Sequence, residues 1–183
     1  GTVGLMMCAV LGVDDPDAWP FAVDLGVGMQ ITNICRDVRE DAARGRVYLP
    51  ADRLRVAGVP GERLLEAAGG GAPLADRERD ALAVVVGDLL DDADRFYRSA
   101  DAGMRFIPLR ARLAIRVASR VYRGIGVRLR RRGSDPWDGR TVVGWPGKVG
   151  WTAVATTATA AALFARRPTH DPHLHRHLRD RPG

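Results

Sequence analysis

A chain of 183 residues, 46% hydrophobic and 27% charged, is long enough for one packed domain, and that balance excludes a disordered or fibrous protein. Basic residues exceed acidic ones by 28 to 22, and the net charge of +6 favours anionic partners. With 6% aromatic residues and no zinc-ligand spacing, no nucleic-acid recognition module accompanies that charge.

The opening GTVGLMMCAVLG has no initiator Met, basic leader or cleavage site, so it does not read as a signal peptide. A chain that opens inside an apolar segment is expected to be truncated. Thr2 to Gly12, too short to cross a bilayer, predicts the end of a buried helix. Cys8 there and Cys35 further on sit in apolar runs and read as buried thiols of a reducing, cytoplasmic compartment.

Asp14-Asp15-Pro16-Asp17 supplies a capping carboxylate, Pro at the first helical position and acid in the first turn, and so predicts a helix start. The helical pattern runs to Arg44, with Arg36, Glu40 and Arg44 as an i, i+4 ladder and Gly45 placed as a left-handed stop. Pro50 and Pro60 each open a short helix, Ala51 to Ala57 and Glu62 to Ala68, stopped by Gly58 and Gly69. Residues 69–73, GGGAP, form a flexible connection that lacks the strand and glycine spacing of a dinucleotide site.

Leu74 to about Ala102 predicts a long helix with Leu82, Val85, Leu89 and Phe96 on its apolar side. After Pro108, Leu109 to Arg132 predicts another, ending at Gly133, and Ser134 to Thr141 reads as a loop. The uncharged run between Lys148 and Arg166 predicts a packed helix and not a membrane span. The final HDPHLHRHLRDRPG, without apolar period, reads as a disordered tail over 167–183 whose four histidines bind metal adventitiously at most. No strand pair is found, so the fold class is all-α.

One stretch concentrates chemistry. On the predicted helix, Gln30, Asn33, Asp37 and Asp41 fall at offsets 0, 3, 7 and 11 and project from one face into apolar surroundings. Like charges at i, i+4 weaken a helix unless a cation neutralises them. Magnesium suits the pair, because Mg²⁺ is held by one or two carboxylates plus substrate phosphates. Arg36, Arg44 and Arg120 are candidate partners for the remaining phosphate charge.

Asp88 and Asp92 share the carboxylate spacing and serve as a control. There Asp91 and Asp94 are placed to pair with Arg95 and Arg98, which predicts a solvated face. Tyr97 and Tyr122, each flanked by arginines, either pack between helices or meet diphosphate or a developing cation. Arg128 to Arg132 reads as a positive helix end, with peripheral membrane contact as the alternative. Gly1, Gly4, Gly26 and Gly28 read as close helix contacts, or as room beside a cavity for a long chain.

The run NICRDVREDAARGRVYLP, within Gly26 to Pro50, resembles the second aspartate-rich motif of the phytoene and squalene synthase family, N-I-L-R-D-V-x-E-D-x-x-R-G-R-I-Y-L-P. GTVGLMM resembles the segment preceding that motif in bacterial phytoene synthases, and FYRSADAGMRFIP and AIRVASRVYRGIG resemble later helices of the family. The similarity runs from Gly1 to about Lys148.

The resemblance implies an isoprenoid synthase fold, a helical bundle around a central apolar cavity, with residues 1–166 forming its C-terminal part. It implies a prenyltransferase that condenses two geranylgeranyl diphosphates head to head, through a cyclopropyl (prephytoene) diphosphate, to phytoene in carotenoid biosynthesis. A squalene, dehydrosqualene or hydroxysqualene synthase using farnesyl diphosphate is the alternative. A non-catalytic remnant that binds a partner or membrane is an alternative of another class.

Asp37 and Asp41 would be the metal carboxylates, for Mg²⁺ or Mn²⁺. Asn33 and Gln30 would complete the catalytic set, and Arg36, Glu40, Tyr97 and Arg120 would contact substrate. NADPH is not expected for the phytoene reading. The family carries a second, earlier aspartate-rich motif, which this chain lacks, so the chain alone is expected to be inactive.

Overall fold

The computed structural model describes residues 2–138 and 168–175. Among these, every regular element is helical: α1 (Thr2–Leu11), α2 (Trp19–Ala43), α3 (Ala51–Val56), α4 (Gly61–Ala68), α5 (Asp76–Gly103) and α6 (Leu109–Arg131). Short 3-10 turns cover Pro16–Ala18, Met104–Phe106 and Pro172–His175. The all-α expectation holds for the described residues. The helix expected between Lys148 and Arg166, the end of the loop beyond Asp138 and the tail beyond His175 lie outside them.

The punctuation in the sequence explains the helix ends. Asp15 Oδ1 accepts the Asp17 N–H at 3.0 Å, with Pro16 in the turn that leads into α2. That first turn is 3-10, so the α-helix proper begins at Trp19. After α2 the chain reverses at Gly45, whose φ of 75° is a conformation that a Cβ disfavours. At the end of α4 the left-handed residue is Gly70, while Gly69 keeps a negative φ of −81°.

The chain forms two compact units, and α2, α5 and α6 contribute residues to both. One unit comprises Gly1–Met29, Ala93–Val121 and Trp145–Gly183. In it a Cβ at Gly4 would overlap the Ala22 carbonyl, and one at Gly103 would overlap Phe21. Phe21 in turn stacks on Phe106 at 5.9 Å between ring centroids. Cys8, Val13 and Ala18 form its small buried cluster.

The expectation that Thr2 to Gly12 is buried does not hold. Cys8 is the one buried residue of α1, and Val3, Met6 and Val10 are 69%, 63% and 77% exposed. Packing at Gly4 buries a single face of a helix that is apolar all round. The same unit holds an apolar cavity of about 180 Å³, whose lining includes Gly4, Leu25, Gly26, Met29, Met104 and Ile115. Gly4 and Gly26 both line the cavity, but what requires glycine at position 4 is the close approach to Ala22, and at Gly28 a Cβ would meet Phe96 and Tyr97.

The other unit comprises Gln30–Asp92 and Tyr122–Gly144. Its core gathers Cys35 and Val38 from α2, Leu54 from α3, Leu64 from α4, Leu82, Val85, Val86 and Leu89 from α5, and Leu129 from α6. Both cysteines are free and buried, as expected. Arg63 ties α4 to the start of α5: it donates to the carbonyls of Ala72 and Pro73, at 2.9 and 2.7 Å, and from Nε to Glu78 at 2.9 Å.

The acidic run of α5 is solvated as expected, but its pairs differ. Asp91 meets Arg130 at 2.5 Å and Asp92 meets Arg53 at 2.8 Å, so Asp91 reaches across to α6 and not one turn along to Arg95. An ion pair between helices costs less when the partner is already held by packing, and Arg130 follows the buried Leu129.

Candidate functional site

α2 is amphipathic in an unusual sense, because its buried face alternates with a polar face that is half-buried. Cys35, Val38 and Ala42 point into the core of the second unit, and this fixes the helix rotation that presents Asn33, Asp37 and Asp41 along another face. All three are partly buried, whereas Gln30 is exposed. The inward orientation expected for both amides is thus seen for Asn33 alone, since Gln30 stands where the buried stripe gives way to solvent.

The carboxylates differ in their surroundings. Asp37 is gripped by the preceding residue: Arg36 Nε donates to its Oδ1 at 2.7 Å and Nη2 to its Oδ2 at 2.5 Å. This two-pronged contact raises the Arg36 pKa and fixes the carboxylate plane. Asp41 pairs loosely with the mostly exposed Arg44, at 3.9 Å, and Arg46 adds a second positive field. Burial first, and then the charge of Asp37, hold the Asp41 carboxyl above its ordinary range, with Arg44 opposing.

Asn33 Oδ1 is buried with no hydrogen-bond partner among the described residues. An orphaned amide oxygen and a repelled carboxylate on one helix face, next to a carboxylate of fixed orientation, are hard oxygen donors. They fit a divalent cation of the magnesium type, which takes oxygen ligands and completes its shell with water and phosphate. Glu40, on the neighbouring flank, adds to the field at Arg36 and Asp41.

Tyr97 and Arg120 belong to the first unit. Tyr97 is 1% exposed, and its ring lies against Gly28. Arg120 faces Asp101 at 3.7 Å. Their expected contact with substrate therefore starts from a packed ring and a partly compensated cation. Tyr122 is half-buried in the second unit, where it adds to the field at Arg36.

One polar group escaped the sequence reading. Asp24 is completely buried in the first unit and contacts Ser99, His170 and His175. The signal was present, since Asp24 is the one charged residue between Asp17 and Arg36. Among the described residues, no helix is long and apolar enough to cross a membrane.

The squalene/phytoene synthase family model matches residues 1–147. The 15-cis-phytoene synthase of Enterobacter agglomerans is 39% identical over 172 residues, covering 94% of this chain and 54% of that protein. The 15-cis-phytoene synthase of Pantoea ananas is 38% identical over 182 residues, covering 100% of this chain and 55% of that protein. The phytoene synthase of Thermus thermophilus is 37% identical over 173 residues, with 94% and 55% covered. The chain spans about half the length of these curated relatives.

Proposed function

The chain belongs to the squalene/phytoene synthase family, whose all-helical isoprenoid synthase fold it shares, and on that premise we propose that its α2 stripe serves the head-to-head condensation of two prenyl diphosphates. The substrate in this reading is geranylgeranyl diphosphate and the product phytoene, by way of the cyclopropyl diphosphate. The observation that carries it is the set of Asn33, Asp37 and Asp41 oxygens on one half-buried helix face, where Asn33 Oδ1 has no partner among the described residues and burial and Asp37 together raise the Asp41 carboxyl.

Asp37 and Asp41 would hold Mg²⁺, with Mn²⁺ as a substitute, and Asn33 and Gln30 would support the diphosphate. Bound there, the ion would supply Lewis-acid stabilisation of the departing diphosphate. Arg36 has two tasks, orienting Asp37 and adding positive charge beside the leaving group. Glu40, on the neighbouring flank, serves on the substrate side with Arg36 and adds a negative field there. In the first unit, Tyr97 and Arg120 serve as substrate contacts, and the apolar lining of the cavity suits hydrocarbon and keeps water from a carbocation. NADPH has no part in this reading.

A chimera tests it, with this chain replacing the aligned segment of the Pantoea ananas relative. Given C20 and C15 diphosphates with Mg²⁺, with and without NADPH, the chimera is expected to make phytoene from the C20 substrate. Asp37→Asn should cut turnover by roughly 10²-fold or more while helicity stays unchanged. Undiminished turnover in that variant would remove Asp37 from the mechanism. Consumption of C15 alone would favour the squalene-type reaction, and an inert but folded chimera would favour a non-catalytic remnant. The 183-residue chain by itself is expected to form no product, because it carries one of the family's two aspartate-rich motifs.

A further inference from the structure

Asp24, on α2, is 0% exposed, and both of its carboxylate oxygens are engaged within the first unit. Oδ2 accepts the Ser99 hydroxyl at 2.5 Å and lies 2.9 Å from His170 Nε2. Oδ1 lies 2.5 Å from His175 Nε2. The two imidazole rings are 5.0 Å apart between centroids, and one donor atom from each of the three residues falls within 4.8 Å of the others.

A buried carboxylate requires compensation, and two imidazole N–H groups could supply it as hydrogen-bond donors. Yet both rings turn the same nitrogen toward the same carboxylate, and the three donor atoms lie close enough for one ion to take the place of the N–H protons between them. We propose that Asp24, His170 and His175 bind a divalent transition metal of the zinc class. The donors differ in kind from those at Asp37 and Asp41: imidazole nitrogen suits Zn²⁺, whereas a set made only of oxygens suits Mg²⁺.

The surroundings support such a site. The Ser99 hydroxyl holds the carboxylate from outside the donor set, as hydrogen bonds to metal-binding carboxylates commonly do. Phe21 meets the His170 ring edge-on at 5.2 Å and forms an apolar wall beside it. The Pro172–His175 turn brings His175 to the same carboxylate as His170. A metal there would cross-link this turn to α2 over sequence separations of 146 and 151 residues, which makes its role structural.

The test uses the tag-free 183-residue chain, stripped with chelator and titrated with Co²⁺ and then Zn²⁺ at about pH 7.5, where free imidazole is neutral. One equivalent of Co²⁺ is expected to bind with visible d–d absorption and to be displaced by Zn²⁺. His170→Ala and His175→Ala should each weaken Co²⁺ binding by roughly 100-fold or more, and Ser99→Ala by roughly 10-fold. The double variant His173→Ala with His177→Ala should bind as tightly as the parent.

Asp24→Asn risks unfolding a buried site, so the histidine variants carry the test, with circular dichroism as the check on folding. Absence of stoichiometric binding overturns the proposal. So does binding that survives His170→Ala and His175→Ala, or that is lost with His173 and His177, since either outcome marks adventitious capture by the histidine-rich tail.

Discussion

At the scale of single residues, α2 shows how burial decides what a group can do. Cys35 and Asp37 are two positions apart, yet one side chain enters the core and the other stays at the half-buried polar face. Burial pushes the Cys35 thiol up to about 12, against the lowering fields of Arg130 and Arg53. Burial raises the Cys8 thiol as well. Both thiols therefore stay protonated and sheltered at pH values where an ordinary cysteine forms its reactive thiolate. A disulfide reagent at about pH 8 is expected to label fewer than one thiol per native chain and two after denaturation. Rapid native labelling of both would show that the core of the second unit opens readily around Cys35.

At the scale of elements, the start of α5 is an incomplete cap. Glu78, third in the helix, reaches back so that its Oε2 accepts the Ala75 N–H at 2.7 Å, which is one half of a capping box. Ala75 has no side-chain oxygen to return the favour to the helix's own first amides. Ala75→Ser supplies it and should stabilise the chain by about 0.5–1 kcal/mol, read as a higher denaturant midpoint. The Ala75 N–H first, and then Arg63, hold the Glu78 carboxyl below its ordinary range. Its contribution is therefore complete above the unfolded-chain value of about 4.3 and is lost as pH falls through the lower native value. Glu78→Gln should flatten that part of the acid unfolding curve, and an unchanged curve would show that Glu78 contributes nothing there.

Helix bounds of this kind are legible in the sequence, because Pro16, Pro50, Pro60, Gly45, Gly58 and Gly133 act within one turn of where they stand. Partnerships across the fold are not. The arginine that Asp91 meets is set by where Leu129 packs, and local spacing favours Arg95 instead. Asp37 and Asp41 were readable because one helix carries both, along with Asn33. The cluster at Asp24 was not, because its histidines come from a turn near the other end of the chain.

At the scale of the whole molecule, the two units differ in how they are filled. In the second, Leu54, Leu64, Leu82, Val86 and Leu129 are all at most 1% exposed and belong to one continuous core. In the first, the buried cluster is small, an apolar cavity of about 180 Å³ stands beside it, and the apolar flank of α1 faces outward. Local opening follows from few buried apolar contacts, and a dense core resists it. Amide hydrogen exchange on the intact chain is therefore expected to be slowest around Leu82 to Leu90 of α5 and fastest along α1. The difference should span several orders of magnitude, because a frayed helix opens at almost no cost while a core helix exchanges only through global unfolding. Leu82→Ala, which would leave a hole in the second core, should cost about 2–5 kcal/mol and accelerate exchange throughout that unit. Met6, at 63% exposure, makes the matching control, and Met6→Ala should change neither stability nor exchange measurably. If α1 exchanged as slowly as α5, or if Met6→Ala were as costly as Leu82→Ala, the outward apolar flank of α1 would have to be covered in solution, and the contrast between the two units would fail.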